Sequence, residues 1–288
     1  MAKKILIALL ATLIGFLFWQ VCLPSDINSQ EKVIFSIEKG EGSRDIALNL
    51  ERQGLIGWAP IFRVYVLTIG VSGKQQAGEY LLSPSMNIPE MAQKFTKGEV
   101  VTLKLTIPEG FTAEQIKEKL RQFPSLSGQE LSSMDEKEGY LFPDTYNFSY
   151  NTTLEEVLKT IEDNFGKKVT PDLKAEIESQ GKTLDQIIVM ASLLEKELKT
   201  REDKELAAGI LWKRLAIGMA LQVDAEMWTY ANPGLPSGAI CNPGLESIVA
   251  AVYPEKSEFW YYLSTPEGET IFSRTLEEHN IAKYNYLK

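Results

Sequence analysis

Residues 5 to 23 constrain this chain more than any other stretch. From Ile5 to Leu23 only Thr12, Gly15 and Gln20 relieve an otherwise apolar run of nineteen residues. As an α-helix the run is about 28 Å long, enough to cross the hydrocarbon core of a bilayer. A cleaved signal peptide is the rival reading, but its apolar core is normally shorter, and no small-x-small cleavage site follows. Pro24 ends the run instead. Trp19, Gln20 and Val21 also lack the small side chains expected ahead of a lipidated Cys22. The reading is an uncleaved anchor, residues 1–24, with Lys3 and Lys4 holding the N-terminus in the cytoplasm. Everything beyond a short tether, residues 25–32, is then an extracytoplasmic folded body.

That body is large enough for one big domain or two ordinary ones within 288 residues. At 44% hydrophobic and 24% charged residues, it is expected to be folded. A net charge of −9 with no Lys/Arg stripe argues against a nucleic-acid partner. Cys22 sits at the end of the apolar run and is no natural partner for Cys241. With one histidine, no C-x-x-C and no H-E-x-x-H, neither a metal nor an organic cofactor is expected. A Ser-His-Asp or Cys-His site would have to rely on His279, close to the C-terminus.

Patterning predicts an α+β fold. Val33 to Ile37 alternates as a short strand, and Ser43 is expected to cap a helix carrying Ile46, Ala47 and Leu50. Ile61 to Leu67 reads as a second helix, Ala77 to Leu82 as a strand, Pro89 to Phe95 as a helix ended by Gly98, and Val100 to Ile107 as a strand. Beyond Pro108 the chain turns mostly helical: Thr112 to Gln122, Leu154 to Phe165, Thr183 to Thr200, Glu202 to Ile217 and Leu276 to Leu287. Strand character returns at Phe259 to Ser264 and Thr270 to Phe272. The break falls near Gly98, giving a small module over residues 33–100 and a larger, mostly helical domain over 101–288.

The helix from Thr183 carries the most chemistry. Thr183 and Gln186 form a capping-box start, and Ile187, Ala191, Leu194 and Leu198 make the inward stripe. At 100° per residue, Glu195 and Glu197 fall on opposite flanks of that stripe. Glu195 precedes Lys199 by four and reads as an ionised surface pair. Glu197 shares its side with Met190 and follows Leu193 and Leu194, a setting that resists ionisation and suits a proton donor. The plainer reading stays open: a peripheral glutamate paired with Arg201.

Several stretches taken together resemble the membrane-anchored endolytic murein transglycosylases of bacteria, the YceG-like family. They are Ala77–Tyr80, Pro108–Gly110, Glu138–Tyr146, Ala191–Glu197, Gly218–Asp224, Gly234–Ile240, Asn242–Gly244 and His279-Asn280, in the family's order. The resemblance implies that Glu197 is the catalytic glutamate of a lytic cut between N-acetylmuramic acid and N-acetylglucosamine, within glycan strands. Tyr140, Phe142 and Tyr146 are candidates for stacking on sugar, and Asp144, Gln222, Asp224 and Asn242 for binding it. The plainer reading of each is a turn or core role, and His279 reads as a structural hydrogen-bonder. Residues 33 to about 98 resemble the family's LysM-like region. Partners implied are peptidoglycan strands, the bacterial cytoplasmic membrane and, more loosely, membrane-bound cell-wall synthases.

The chain also departs from the family pattern. Asp224-Ala225-Glu226 stands where Asp-Pro-Thr is usual, Ser237 replaces a second proline, and Tyr230-Ala231-Asn232-Pro233 runs straight into Gly234 without the usual loop. A water-using muramidase, which would need a second carboxylate such as Asp144 or Asp224, and a non-catalytic glycan-binding protein are the competing functions.

Overall fold

The computed structural model describes Gly15 and residues 19–287. The expected membrane-spanning helix therefore lies largely outside the described residues. Residues 19–22 are helical, and among the described residues no helix is long and apolar enough to cross a membrane. The fold is α+β, in two compact units: residues 1–103 with 148–151, and residues 104–147 with 152–288.

In the first unit, strand β1 (Val33–Ile37) pairs antiparallel with β2 (Gly78–Leu82), placing Phe35 opposite Tyr80. Alternation sends Phe35, Ile37, Tyr80 and Leu82 to one face. Helices α1 (Ser43–Arg52), α2 (Ala59–Thr68) and α3 (Ile88–Lys97) contribute to the same core through Ile46, Leu50, Phe62, Val66, Met91 and Phe95. Gly42 rather than Ser43 holds the N-cap of α1, and Ser43 is its first helical residue. Helix α3 starts in a capping box between Asn87 and Glu90 and stops at Gly98, whose φ of 67° favours glycine. Ser25, at the head of the expected tether, is pinned: its hydroxyl lies 2.9 Å from the Gly54 carbonyl and 3.1 Å from that of Leu55, and Asp26 N–H donates to Pro84 O.

Strands β3 (Thr102–Thr106) and β4 (Thr145–Ser149) pair with each other, and the division between the units falls within both. The second unit then runs α4 (Ala113–Leu120), a 3-10 turn (Ser132–Lys137), α5 (Leu154–Lys168), α6 (Pro171–Ser179), α7 (Leu184–Glu197), α8 (Arg201–Ala216), a short α9 (Trp228–Ala231) and α10 (Leu245–Val252). The antiparallel hairpin of β5 (Tyr261–Ser264) and β6 (Thr270–Ser273) precedes α11 (Leu276–Tyr286). Helix α7 is the spine. Every residue from Ile187 to Leu194 is buried, not just the expected stripe, because α6, α8 and α10 pack around it. Gly209 lets α8 close on the chain behind α10: a Cβ there would lie 2.0 Å from the Glu255 carbonyl oxygen.

Five described elements escaped the sequence reading: the 3-10 turn, β4, α6, α9 and α10. Helix α10, Leu-Glu-Ser-Ile-Val-Ala-Ala-Val, is short and apolar with β-branched residues, a pattern that fits a buried strand equally well until its packing is known.

Candidate active site

Helix α7 begins as expected. Thr183 Oγ1 accepts the Gln186 N–H at 3.1 Å, and Gln186 Oε1 accepts the Thr183 N–H at 3.0 Å. It ends sooner than expected, because Leu198 swings to an extended conformation (φ −131°, ψ 145°) while staying buried. The chain then re-enters helix at the Thr200 cap of α8. This early stop makes Glu197 the last helical residue, at the rim of the core.

Glu197 is half-buried there. Its Oε1 accepts the Ala225 N–H at 2.6 Å, a contact made by the segment after Leu221-Gln222-Val223. Burial raises its pKa above the ordinary carboxylate value, and the nearby Asp224 charge adds to this, against backbone N–H groups of Ala225 and Asp224 that pull it down. Among the described residues no cation forms an ion pair with it; Arg201 pairs instead with Glu205 at 2.7 Å. Around it stand two phenols. The Tyr230 hydroxyl donates to Asp224 Oδ1, and burial with that carboxylate pushes its pKa up to about 12. The buried Tyr262 hydroxyl has no hydrogen-bond partner, and burial followed by the Glu197 charge raises its pKa. Arg214, buried in α8, braces the loop and strand behind them by donating to the carbonyls of Trp260 (2.9 Å from Nε) and Leu221.

Glu195, two residues earlier, is not the expected surface pair with Lys199. Its side chain is 8% exposed and meets Lys204 Nζ at 3.3 Å, with Lys204 only 4% exposed. It also accepts the Gly244 N–H (3.0 Å) and the Ser247 hydroxyl (2.6 Å). All of its capacity goes to tying α7, α8 and the start of α10 together.

The other expected site residues separate by place. Asp224 and Gln222 are exposed and adjoin Ala225, beside Glu197. Gln222 has a left-handed backbone, φ 54°. Tyr140 is elsewhere: its hydroxyl donates to Asp185, at the opposite end of α7, about 18 Å along the axis from Glu197. Its ring packs on Phe165, 5.1 Å between centroids. Asp144 is exposed, with its pKa held down by the Thr145 N–H and the Asn164 amide. Tyr146 is core, its hydroxyl donating to the Phe142 carbonyl at 2.7 Å.

With Tyr146, two more expectations of sugar contact give way to structural roles. Phe142 is core, 4% exposed and edge-on to Phe165. Asn242 is wholly buried, and its amide is spent. Oδ1 accepts the N–H groups of Gly139 and Leu141, both at 2.8 Å, while Nδ2 donates to Phe111 O (2.9 Å) and Glu138 Oε1 (2.8 Å). His279 stacks on Tyr261 at 5.2 Å, with its buried Nδ1 unbonded, so it contributes ring packing rather than the expected hydrogen bond at that nitrogen. Both cysteines are free. Among the described residues no cluster of three or more His, Cys, Asp or Glu is arranged for a metal.

Sequence reasoning missed Tyr230, Tyr262 and the Ala225 N–H as neighbours of Glu197, and with them the exposed Trp228 in the same segment as Ala225 and Tyr230. Their one sequence signal is an aromatic pair close behind Asp224; Tyr262 and Ala225 lie 65 and 28 residues from Glu197 and reach it only through the fold.

Known proteins resemble the chain along nearly its whole length. An "Endolytic murein transglycosylase" of Bacillus subtilis is 29% identical, with 95% of this chain and 90% of that one covered. One of Streptococcus pneumoniae is 27% identical over 91% of this chain, which spans 60% of that longer protein. A crystal structure of a yceG-like protein from Listeria monocytogenes superposes with a TM-score of 0.54 at 30% identity, covering 88% of this chain and all of that one. The YceG-like family itself matches residues 35–228 and 227–285. On that match, which takes in both units and the Glu197 site between its ends, the chain belongs to the YceG-like family.

Proposed function

We propose that the chain is an endolytic lytic transglycosylase of peptidoglycan, with Glu197 as its single acid and base. One observation carries the residue assignment: a half-buried carboxyl at a helix end, its pKa raised by burial, met by the backbone N–H groups of Ala225 and Asp224 and paired with no cation among the described residues. Such a setting favours the protonated form, which suits a proton donor. The relatives' printed name supports the reaction class.

Ala225 engages Oε1, and the proton to be donated is assigned to Oε2. It passes to the glycosidic oxygen between N-acetylmuramic acid and N-acetylglucosamine as the C1–O bond breaks and C1 gains oxocarbenium character. The Glu197 carboxylate then takes the proton of the muramic C6 hydroxyl, whose oxygen closes on C1. The products are a 1,6-anhydro end and a free 4-hydroxyl, and no water is consumed. One carboxyl therefore suffices where hydrolases use two. The Ala225 N–H stabilises the transient carboxylate, and Asp224 and Gln222 line the neighbouring surface as sugar-binding candidates. Tyr140, at the far end of α7, could reach only a distant part of a bound strand.

The residues from 33 to 100 serve as a LysM-like glycan-binding or positioning module, and 101–288 as the catalytic domain. The apolar run after Lys3 and Lys4 anchors both to the cytoplasmic membrane, with the catalytic domain outside and within reach of membrane-bound synthases. Digestion of purified murein followed by mass spectrometry tests the reaction. Anhydro ends are expected; reducing ends would mean hydrolysis, and intact strands a binding protein.

A further inference from the structure

Folding hides large apolar side chains, yet beside Glu197 the order is reversed. Met227, Trp228 and Tyr230 are 69%, 43% and 41% exposed, while the small polar Thr229 among them is fully buried. This is not slackness, because the segment's backbone is pinned. Thr229 Oγ1 donates to Glu226 O (2.7 Å) and accepts the Val223 N–H (2.9 Å). Gln222 N–H donates to Thr229 O (3.2 Å), the Asn232 amide to Trp228 O (2.9 Å), and Ala220 bridges to Pro233. The same segment touches the site at two points, Ala225 N–H on Glu197 and the Tyr230 hydroxyl on Asp224. It is also where the family match breaks, its two pieces meeting at Met227-Trp228.

An exposed indole on a pinned backbone, three residues beyond the N–H that holds the Glu197 carboxyl, fits one class of ligand. A pyranose ring presents an apolar C–H face, and an aromatic plate gives large contact area for little lost conformational freedom. We infer that Trp228, flanked by Met227 and Tyr230, is the platform on which an N-acetylated sugar ring of the glycan strand stacks beside Glu197. The inference rests on the Glu197 reading and assigns that site its substrate contact.

The test uses the full-length, detergent-solubilised chain and peptide-free glycan strands. On a Glu197→Gln background, which separates binding from turnover, Trp228→Ala should weaken strand binding roughly tenfold, and Trp228→Phe should restore most of it. In the active chain Trp228→Ala should raise KM by about the same factor with kcat nearly kept. Because the ring is exposed, its melting temperature should not move. Unchanged binding and KM in Trp228→Ala, equal loss in both variants, or a change in oligomer mass instead of glycan binding would each overturn the platform. If Trp228→Ala is silent while the parent cleaves strands, only the platform falls. A parent that neither binds nor cleaves them would remove the Glu197 reading as well.

Discussion

The two flanks of α7 hold the same side chain in opposite states. Glu195 is enclosed by a lysine, a backbone N–H and a hydroxyl, and is a structural brace. Glu197, two residues on, has only backbone N–H groups, no ion pair among the described residues and a raised pKa. A buried carboxylate that is fully partnered has nothing left to give to a ligand, whereas an under-compensated one holds its proton. The chemistry proposed for this helix therefore sits where the fold withholds partners, and the bracing contacts sit where it supplies them.

The contrast can be broken most directly at Glu197. Glu197→Gln keeps the shape and removes the proton, so anhydro-product formation should fall by about 10²- to 10⁴-fold. Persistence of turnover would end the assignment. Burial disfavours the charge, so the folded chain binds this proton more tightly than the unfolded one, and ionised Glu197 opposes folding once pH exceeds its folded pKa. The Gln variant should thus melt no lower than the parent at neutral pH. Glu195→Ala should do the reverse, costing about 3–5 kcal/mol of stability by stranding Lys204, read as a lower denaturation midpoint. A Glu195 variant that folds normally yet loses turnover would erase the distinction between the flanks.

Asn242→Ala sharpens the same division away from the helix. It leaves the N–H groups of Gly139 and Leu141 without their acceptor, so about 3 kcal/mol of stability should go, with strand binding retained in the protein that stays folded. The smallest effect concerns pH. Because Glu197 must start protonated, kcat/KM should fall as pH rises through its raised pKa. Asp224→Asn removes the neighbouring negative charge that helps to raise it, and should move that falling limb to lower pH. A limb that stays put would show that Asp224 does not tune the acid.

Much of the frame was legible in residue patterns. The capping box at Thr183, the inward stripe and the opposed flanks of Glu195 and Glu197 all follow from the 3.6-residue period, which needs only neighbours a few positions away. The strands at 33–37 and 78–82 follow likewise from alternation. Glu195 was misread because Lys199, four residues on, is the helix-local partner, whereas its actual partners are Lys204, past the helix break, and Gly244 and Ser247, about fifty residues away. Asn242 and Phe142 looked like ligand contacts because residue type says nothing of which way a side chain is turned.

The sequence by itself determined the α+β class, the position of the glutamate-bearing helix and the geometric separation of its two carboxyls. Only the tertiary structure decided which carboxyl is ion-paired and which has its pKa raised by burial, and which aromatics are left facing solvent in the segment that touches it. Burial and charge pairing depend on distances in space between residues far apart in the chain, and local periodicity carries no information about those.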